Sequence, residues 1–189
     1  MVRCWAPADA PLLKAAIDAS LEHLRPWMPW ARDHPQPAET QVALLRHFRG
    51  EFDLDQNYVY GILSRDEAEV VGGSGLHPRL GVGGLEIGYW IRADRVRQGL
   101  ATETAGALTR VAFEVNGMER VEIHCDARNA ASAAVARKLG YALVETRAED
   151  GLEGREATLI WRLVAAHYAA SPAARLTLAA YHARSARLF

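Results

Sequence analysis

The sequence has little that would staple, anchor or strongly charge it. It holds two cysteines, Cys4 and Cys125, far apart and in no framework spacing. That excludes a disulfide scaffold and leaves two reduced thiols as the expectation. No stretch is long and apolar enough for a membrane span. The opening MVRCWAPADAPLLKAAIDAS is interrupted by Pro7, Asp9, Pro11 and Lys14, so a secretory leader is not expected either. The formal net charge is −1, which gives no general attraction to nucleic acid or to a membrane surface. Any anion site must be local. The histidines show no HExxH or Cys-rich spacing, so no metal is expected. There is no internal repeat and no low-complexity tract, and the expected location is cytoplasmic.

What the chain does have is the composition of a globular protein, with 189 residues, 50% hydrophobic and 24% charged. Such a chain can bury one sizeable core. MVRCW reads as a short strand. PADAPLLKAAIDASLEHL reads as one helix, with Leu12, Leu13, Ala16, Ile17 and Leu21 at helical spacing. After RPWMPW, a second helix near PAETQVALLRHFRGEF carries a Val42, Leu45, Phe48 stripe, and Gly50 is expected to weaken or end it. The period then changes. NYVYGILSR, EVVGGSGLHPRL and LEIGYWI read as strands of an antiparallel meander, with a polar turn at RDEA. A helix follows Gly99 and ends near Asn116-Gly117. VEIHCD is a strand, NAASAAVARKL a short helix, and YALVETR with EATLIWRLV a hairpin around AEDGLEG. The order β-α-α-β-β-β-α-β-α-β-β describes a mixed α/β domain. Residues 1–165 are expected as that domain and residues 166–189 as a helical C-terminal extension, which has arginines and no carboxylate.

One stretch concentrates positive charge at a turn. In RVRQGLATETAG, Arg95, Arg97 and Gln98 precede Gly99, and the first carboxylate afterwards is Glu103. A strand turning directly into a helix aims several backbone N–H groups into one hollow, and the helix dipole adds to them. Gly99 removes a Cβ from that approach, and Ala101 and Thr102 keep the first turn open. A phosphate or pyrophosphate fits such a turn. A solvent-exposed turn with incidental basic residues fits this stretch equally well.

EIGYWIRADRVRQGLATETAGALTRVAF followed by RVEIHCDARNAASAAVARKLGY resembles the GNAT superfamily of N-acetyltransferases, in its RimJ/RimL-like branch. The EIGYW strand, the QGLATE turn, the Asn-x-x-Ser helix start and the KLGY ending occur in the family's order, from Glu86 to Tyr141. The resemblance implies a single-domain GNAT-like α/β fold, with a mixed, mainly antiparallel sheet, helices on both faces and a splayed central strand pair. It implies acetyl-coenzyme A as acyl donor. The pyrophosphate would lie on Arg97, Gln98, Gly99, Leu100, Ala101 and Thr102, the pantetheine arm along the backbone of Trp90 and Ile91, and Asn129 beside the cofactor. The family turn usually begins with Arg or Gln where this chain has Val96, so the amides carry more of the anion binding here.

For catalysis, Glu86 is the first candidate as a general base acting through water. An exposed strand charge or a salt bridge to a nearby arginine is the plainer alternative. The tyrosine that many relatives use to protonate the thiolate has Ala136 in its place, and Ser132, one turn earlier, is the nearest substitute. It fits equally as a helix N-terminal hydroxyl bonding to backbone. Cys125 shares a face with Val121 and Ile123 and reads as a buried structural thiol. His124 faces the other way with Glu122, either in the acceptor cleft or on an ordinary polar face. Trp27 and Trp30 are candidate walls of the acceptor pocket, where Arg25 and Arg32 would meet an acidic acceptor.

The reaction these features imply is transfer of acetyl from acetyl-coenzyme A to a primary amine. The acceptor is a protein N-terminus, as in ribosomal-protein relatives, or a small molecule such as an antibiotic. Nucleic acid and membrane are not expected partners, and a homodimer is possible. A non-catalytic acyl-coenzyme A-binding module and an adaptor using the arginine tail are the rival classes.

Overall fold

The computed structural model describes residues 1–148 and 157–181. The chain divides into two compact units, Met1–His77 with Gly88–Ala101, and Pro78–Ile87 with Thr102–Phe189.

The first unit pairs β1 (Val2–Cys4), β2 (Tyr58–Leu63) and β3 (Val70–His77) as an antiparallel sheet, in register Val2↔Ile62 and Tyr60↔Ser74. The β2–β3 turn is closed by Asp66, whose Oδ1 accepts from the Ser64 hydroxyl and the Ala68 amide, and Glu67 takes the left-handed conformation at φ 58°. The strand β4 (Gly84–Ile91) enters this unit at Gly88, whose carbonyl accepts from the Ser74 hydroxyl at 2.7 Å. Helices α1 (Ala10–Asp18), α2 (Leu21–Leu24) and α3 (Ala38–Asp53) complete it. Trp5, Leu13, Ile17, Leu45, Leu63 and Val70 form its main core, and Ile62, Val71 and Ile91 a second cluster.

Two sequence expectations change here. The helix expected through PADAPLLKAAIDASLEHL is broken between α1 and α2, where the Ser20 hydroxyl accepts the Ala93 amide at 3.0 Å instead of continuing a helical face. Gly50 does not end α3. A Cβ there would meet nothing within 4 Å, so the glycine costs only its helix propensity, about 1 kcal/mol against alanine.

In the second unit the strands are hydrogen-bonded in the order β4-β5-β7-β6, with β5 at Arg120–Asp126, β6 at Ala142–Ala148 and β7 at Ala157–Val164. The β4–β5 pair is parallel and the other two are antiparallel. With β1–β3, the seven strands make the mixed, mainly antiparallel α/β fold that the resemblance implies. The β4–β5 register runs from Gly84↔Arg120 to Glu86↔Glu122 and ends there, although β5 continues to Asp126.

Helix α4 spans Leu100–Arg110 and loosens into a π-helical turn, Val111–Val115, before Asn116 and a left-handed Gly117. Helix α5 (Ala130–Lys138) is capped by Asn129, whose Oδ1 accepts the Ser132 amide at 3.0 Å. Past β7 the described tail is not continuously helical. It holds α6 (Ala165–Tyr168) and a 3₁₀ turn at Ala173–Arg175. The β6–β7 connection expected at AEDGLEG and the last residues of the tail lie outside the described residues. Among those described, no helix is long and apolar enough to cross a membrane.

Candidate active site

The β4–β5 register sets two acids side by side. Glu86 and Glu122 are Cα partners, and His124 follows Glu122 on the same face of β5. Both acids are buried, at 7% and 4% exposure. Two adjacent buried carboxylates repel and lose hydration, so each needs a counter-charge. Arg79 supplies one, with Nε donating to Glu86 Oε2 at 2.7 Å and its terminal nitrogen bonding Oε1. Arg162, the register partner of Glu122 on β7, supplies the other through Nε to Oε1 at 2.7 Å.

The imidazole of His124 lies between the two acids. Its Nε2 is 2.6 Å from Glu122 Oε2 and its Nδ1 is 3.4 Å from Glu86 Oε2. Burial pushes the Glu122 carboxyl up, but the hydrogen bonds from His124 and Arg162 outweigh it and hold that carboxyl below the usual range. Contact with Glu86 raises the Arg79 guanidinium further above its ordinary value. The assembly gives each buried carboxylate a guanidinium partner and presents a ring nitrogen beside them.

Glu86 is therefore not an exposed strand charge; the salt bridge weighed against catalysis is present. The polar face of His124 is a buried ionic network. Arg79, Glu122 and Arg162 were not anticipated as members of it. The alternation of VEIHCD put Glu122 beside His124, and only the strand register brings Arg162 and Glu86 to them.

The opposite face of β5 carries Cys125, 8% exposed, whose thiol is pushed up by burial. The Ser132 side chain hydrogen-bonds that thiol, while the Ser132 amide is taken by Asn129. Ala136 is fully buried.

In the first unit, the turn into α4 has an unusual backbone. Arg97 adopts φ 61° and Gly99 φ 85°, both left-handed, on either side of Gln98. A left-handed non-glycine residue costs energy and persists only where its surroundings enforce it. The enforcement is visible on both sides. Val96, Leu100 and Ala101 pack against the Ile62, Val71, Ile91 cluster, and Arg95 is tied to Glu69 at 2.5 Å. Arg97, Gln98 and Gly99 remain exposed. The first amides of α4 have no partner within the helix, and such a helix start favours an anion. Thr102 lies in the first turn of α4. Val96, which has no side-chain donor, anchors the turn to the core.

Trp90 and Ile91 end β4. Ile91 is 8% exposed and its side chain belongs to the core cluster, which leaves its main chain as the part able to meet a ligand. The Trp90 indole lies so close over Gly73 that a Cβ there would come within 2.5 Å of its nitrogen. Trp30, 37% exposed, meets Trp90 edge-on at 5.9 Å and His34 at 5.6 Å. Trp27 is half-buried in the preceding turn, its amide bonded to the Leu24 carbonyl. Arg25 is occupied by Glu22 and the His34 carbonyl.

Residues 1–142 match the family described as Acetyltransferase (GNAT) domain. The Bacillus subtilis (strain 168) protein named "Putative ribosomal N-acetyltransferase YdaF" is 29% identical over 158 residues, covering 80% of this chain and 81% of its own. Among solved structures, Mycobacterium smegmatis RimJ in complex with a coenzyme A disulfide superposes with a TM-score of 0.79 at 22% identity, covering 93% of this chain and 86% of that one. RimL, a ribosomal alpha-N-protein acetyltransferase in complex with coenzyme A, superposes at 0.77 and 18% identity, covering 86% and 92%.

Proposed function

The chain belongs to the GNAT acetyltransferases, which take acetyl from acetyl-coenzyme A, and from that premise we propose that its acceptor is the α-amine at the N-terminus of a protein, of the ribosomal class that its relatives' names indicate. The observation that carries this reading is the pair of charged carboxylates flanking an imidazole on β4 and β5. An amine arrives as an ammonium and must lose a proton before it can attack. The site offers an anion to receive the first and a base to accept the second.

The donor is held by main chain. The exposed turn Arg97, Gln98, Gly99 and the first amides of α4, Leu100 to Thr102, take the pyrophosphate, with the Arg97 side chain as an added cation. Trp90 and Ile91 offer backbone to the pantetheine arm. Asn129, its Oδ1 spent on capping α5, has its amide nitrogen left for the cofactor. Glu86, clamped by Arg79, is the anion that meets the acceptor ammonium. Trp27 and Trp30 wall the acceptor side. Ser132 acts as the proton donor to the leaving thiolate only if its hydroxyl leaves Cys125.

A protein α-amine has an ordinary pKa of about 7.7–8.0 and a lysine amine about 10.4. A modest base suffices for the first and falls short for the second. Thiol release with acetyl-coenzyme A, read together with product mass, tests the reading on three acceptors. These are peptides with a free α-amine and no lysine, α-blocked peptides with lysine, and small amines. The expected outcome is one acetyl added to the free α-amine peptides. Turnover of small amines alone would overturn the protein acceptor.

A further inference from the structure

Building on the proposed amine acetylation, we infer that the proton of the acceptor ammonium is taken by Nδ1 of His124, with Glu122 and Arg162 as the groups that position that ring. Glu86 is the obvious base by its place on β4, but a guanidinium already holds it. Arg79 bonds both carboxylate oxygens of Glu86, and the Glu86 side chain is 9% exposed. The His124 side chain is 20% exposed, which makes the imidazole the more accessible of the two.

The ring's protonation pattern follows from its neighbours. Nε2 lies 2.6 Å from Glu122 Oε2. A charged carboxylate only accepts, so Nε2 carries the hydrogen. Glu122 is held in place by Arg162 on its other oxygen. In the neutral ring Nδ1 then carries the lone pair. It lies 3.4 Å from Glu86 Oε2, beyond a normal hydrogen bond, and both partners there are acceptors. A carboxylate fixing one ring nitrogen leaves the other free to work as a base. Glu86 on β4 and Glu122 on β5 flank the ring, and Arg79 from the loop before β4 and Arg162 on β7 pair with those carboxylates.

The step balances. The N–H bond of the ammonium breaks and its proton binds the Nδ1 lone pair. The freed nitrogen pair forms the C–N bond to the thioester carbonyl. The C–S bond breaks with its electrons on sulfur, and the nitrogen's remaining extra proton ends on the thiolate or on water. The imidazolium returns its proton to water.

Two measurements on the full chain test this. His124→Gln keeps a polar side chain of similar size but cannot take a proton. It is expected to lower kcat/KM for an α-amine peptide by about 100-fold and to remove the acid limb of the pH profile, with coenzyme A affinity retained. Glu122→Gln, which removes the nearby anion, is expected to move that limb to lower pH. An acid limb unchanged in His124→Gln, together with a kcat/KM lost only in Glu86→Gln, would overturn the assignment. Nitrogen-15 NMR of the imidazoles reads the tautomer without any acceptor, so it decides even if the wild type transfers to none of the amines tried and the acceptor reading fails. A neutral His124 ring with hydrogen on Nε2 and a bare Nδ1 supports the inference; hydrogen on Nδ1 overturns it.

Discussion

Glu122 and Asp9 are carboxylates held charged by guanidinium groups, and that sets how the protein meets acid. Asp9 takes both terminal nitrogens of Arg3, which hold its carboxyl below the usual range against the cost of burial. Glu122 is held down by His124 and Arg162 in the same way. A carboxyl whose folded value is depressed contributes stability that is present above its unfolded value, about 3.9–4.3, and is lost as pH falls through the folded value. The urea midpoint is therefore expected to fall as pH drops below about 4, and to fall less steeply in Glu122→Gln. A midpoint that rises on acidification would contradict these pairings. At this scale the alternation in VEIHCD was legible, since Val121, Ile123 and Cys125 are buried as it implies. The burial of Glu122 and Asp126 was not, because alternation treats the polar face as solvated. Arg79, in the loop before β4, gave no local sign that it would meet Glu86.

Elements were read well where one signal dominated. Asn129 and Ser132, spaced as an N-cap and its third residue, do start α5. That cap is a backbone matter, so Asn129→Ala is expected to cost about 1 kcal/mol of stability, read from urea unfolding. A change near zero would mean the α5 amides find another acceptor. The misread elements share a cause, a local preference settled by surroundings that the sequence does not display. Ser20 breaks a periodic helix because its hydroxyl is used by Ala93. Gly50 sits inside α3, which runs on to Asp53. The basic turn before α4 was visible as a charge pattern. Its left-handed Arg97, and the anchoring by Val96, Leu100 and Ala101, depend on a cluster assembled from β2, β3 and β4.

Along the whole chain the succession of strands was legible from β1 onward, since each expected strand is present, but their order in the sheet was not. The resemblance carried by Glu86 to Tyr141 extends, in the family match, over residues 1–142. The acceptor was not legible, because side chains such as Trp30 and Trp90 meet only after folding. Everything proposed for the reaction depends on the donor being held by main-chain amides at the turn into α4. Gly99 tests this without a collision, since a Cβ there meets no atom within 4 Å while φ is 85°. An alanine forced into that conformation costs about 1–2 kcal/mol, so it relaxes the turn and turns the amides away. The decisive measurement is titration calorimetry of acetyl-coenzyme A into the wild type and into Gly99→Ala. The account predicts clear binding by the wild type and a Kd raised about tenfold in the variant. Equal affinity in the two, or no heat from the wild type, would contradict it.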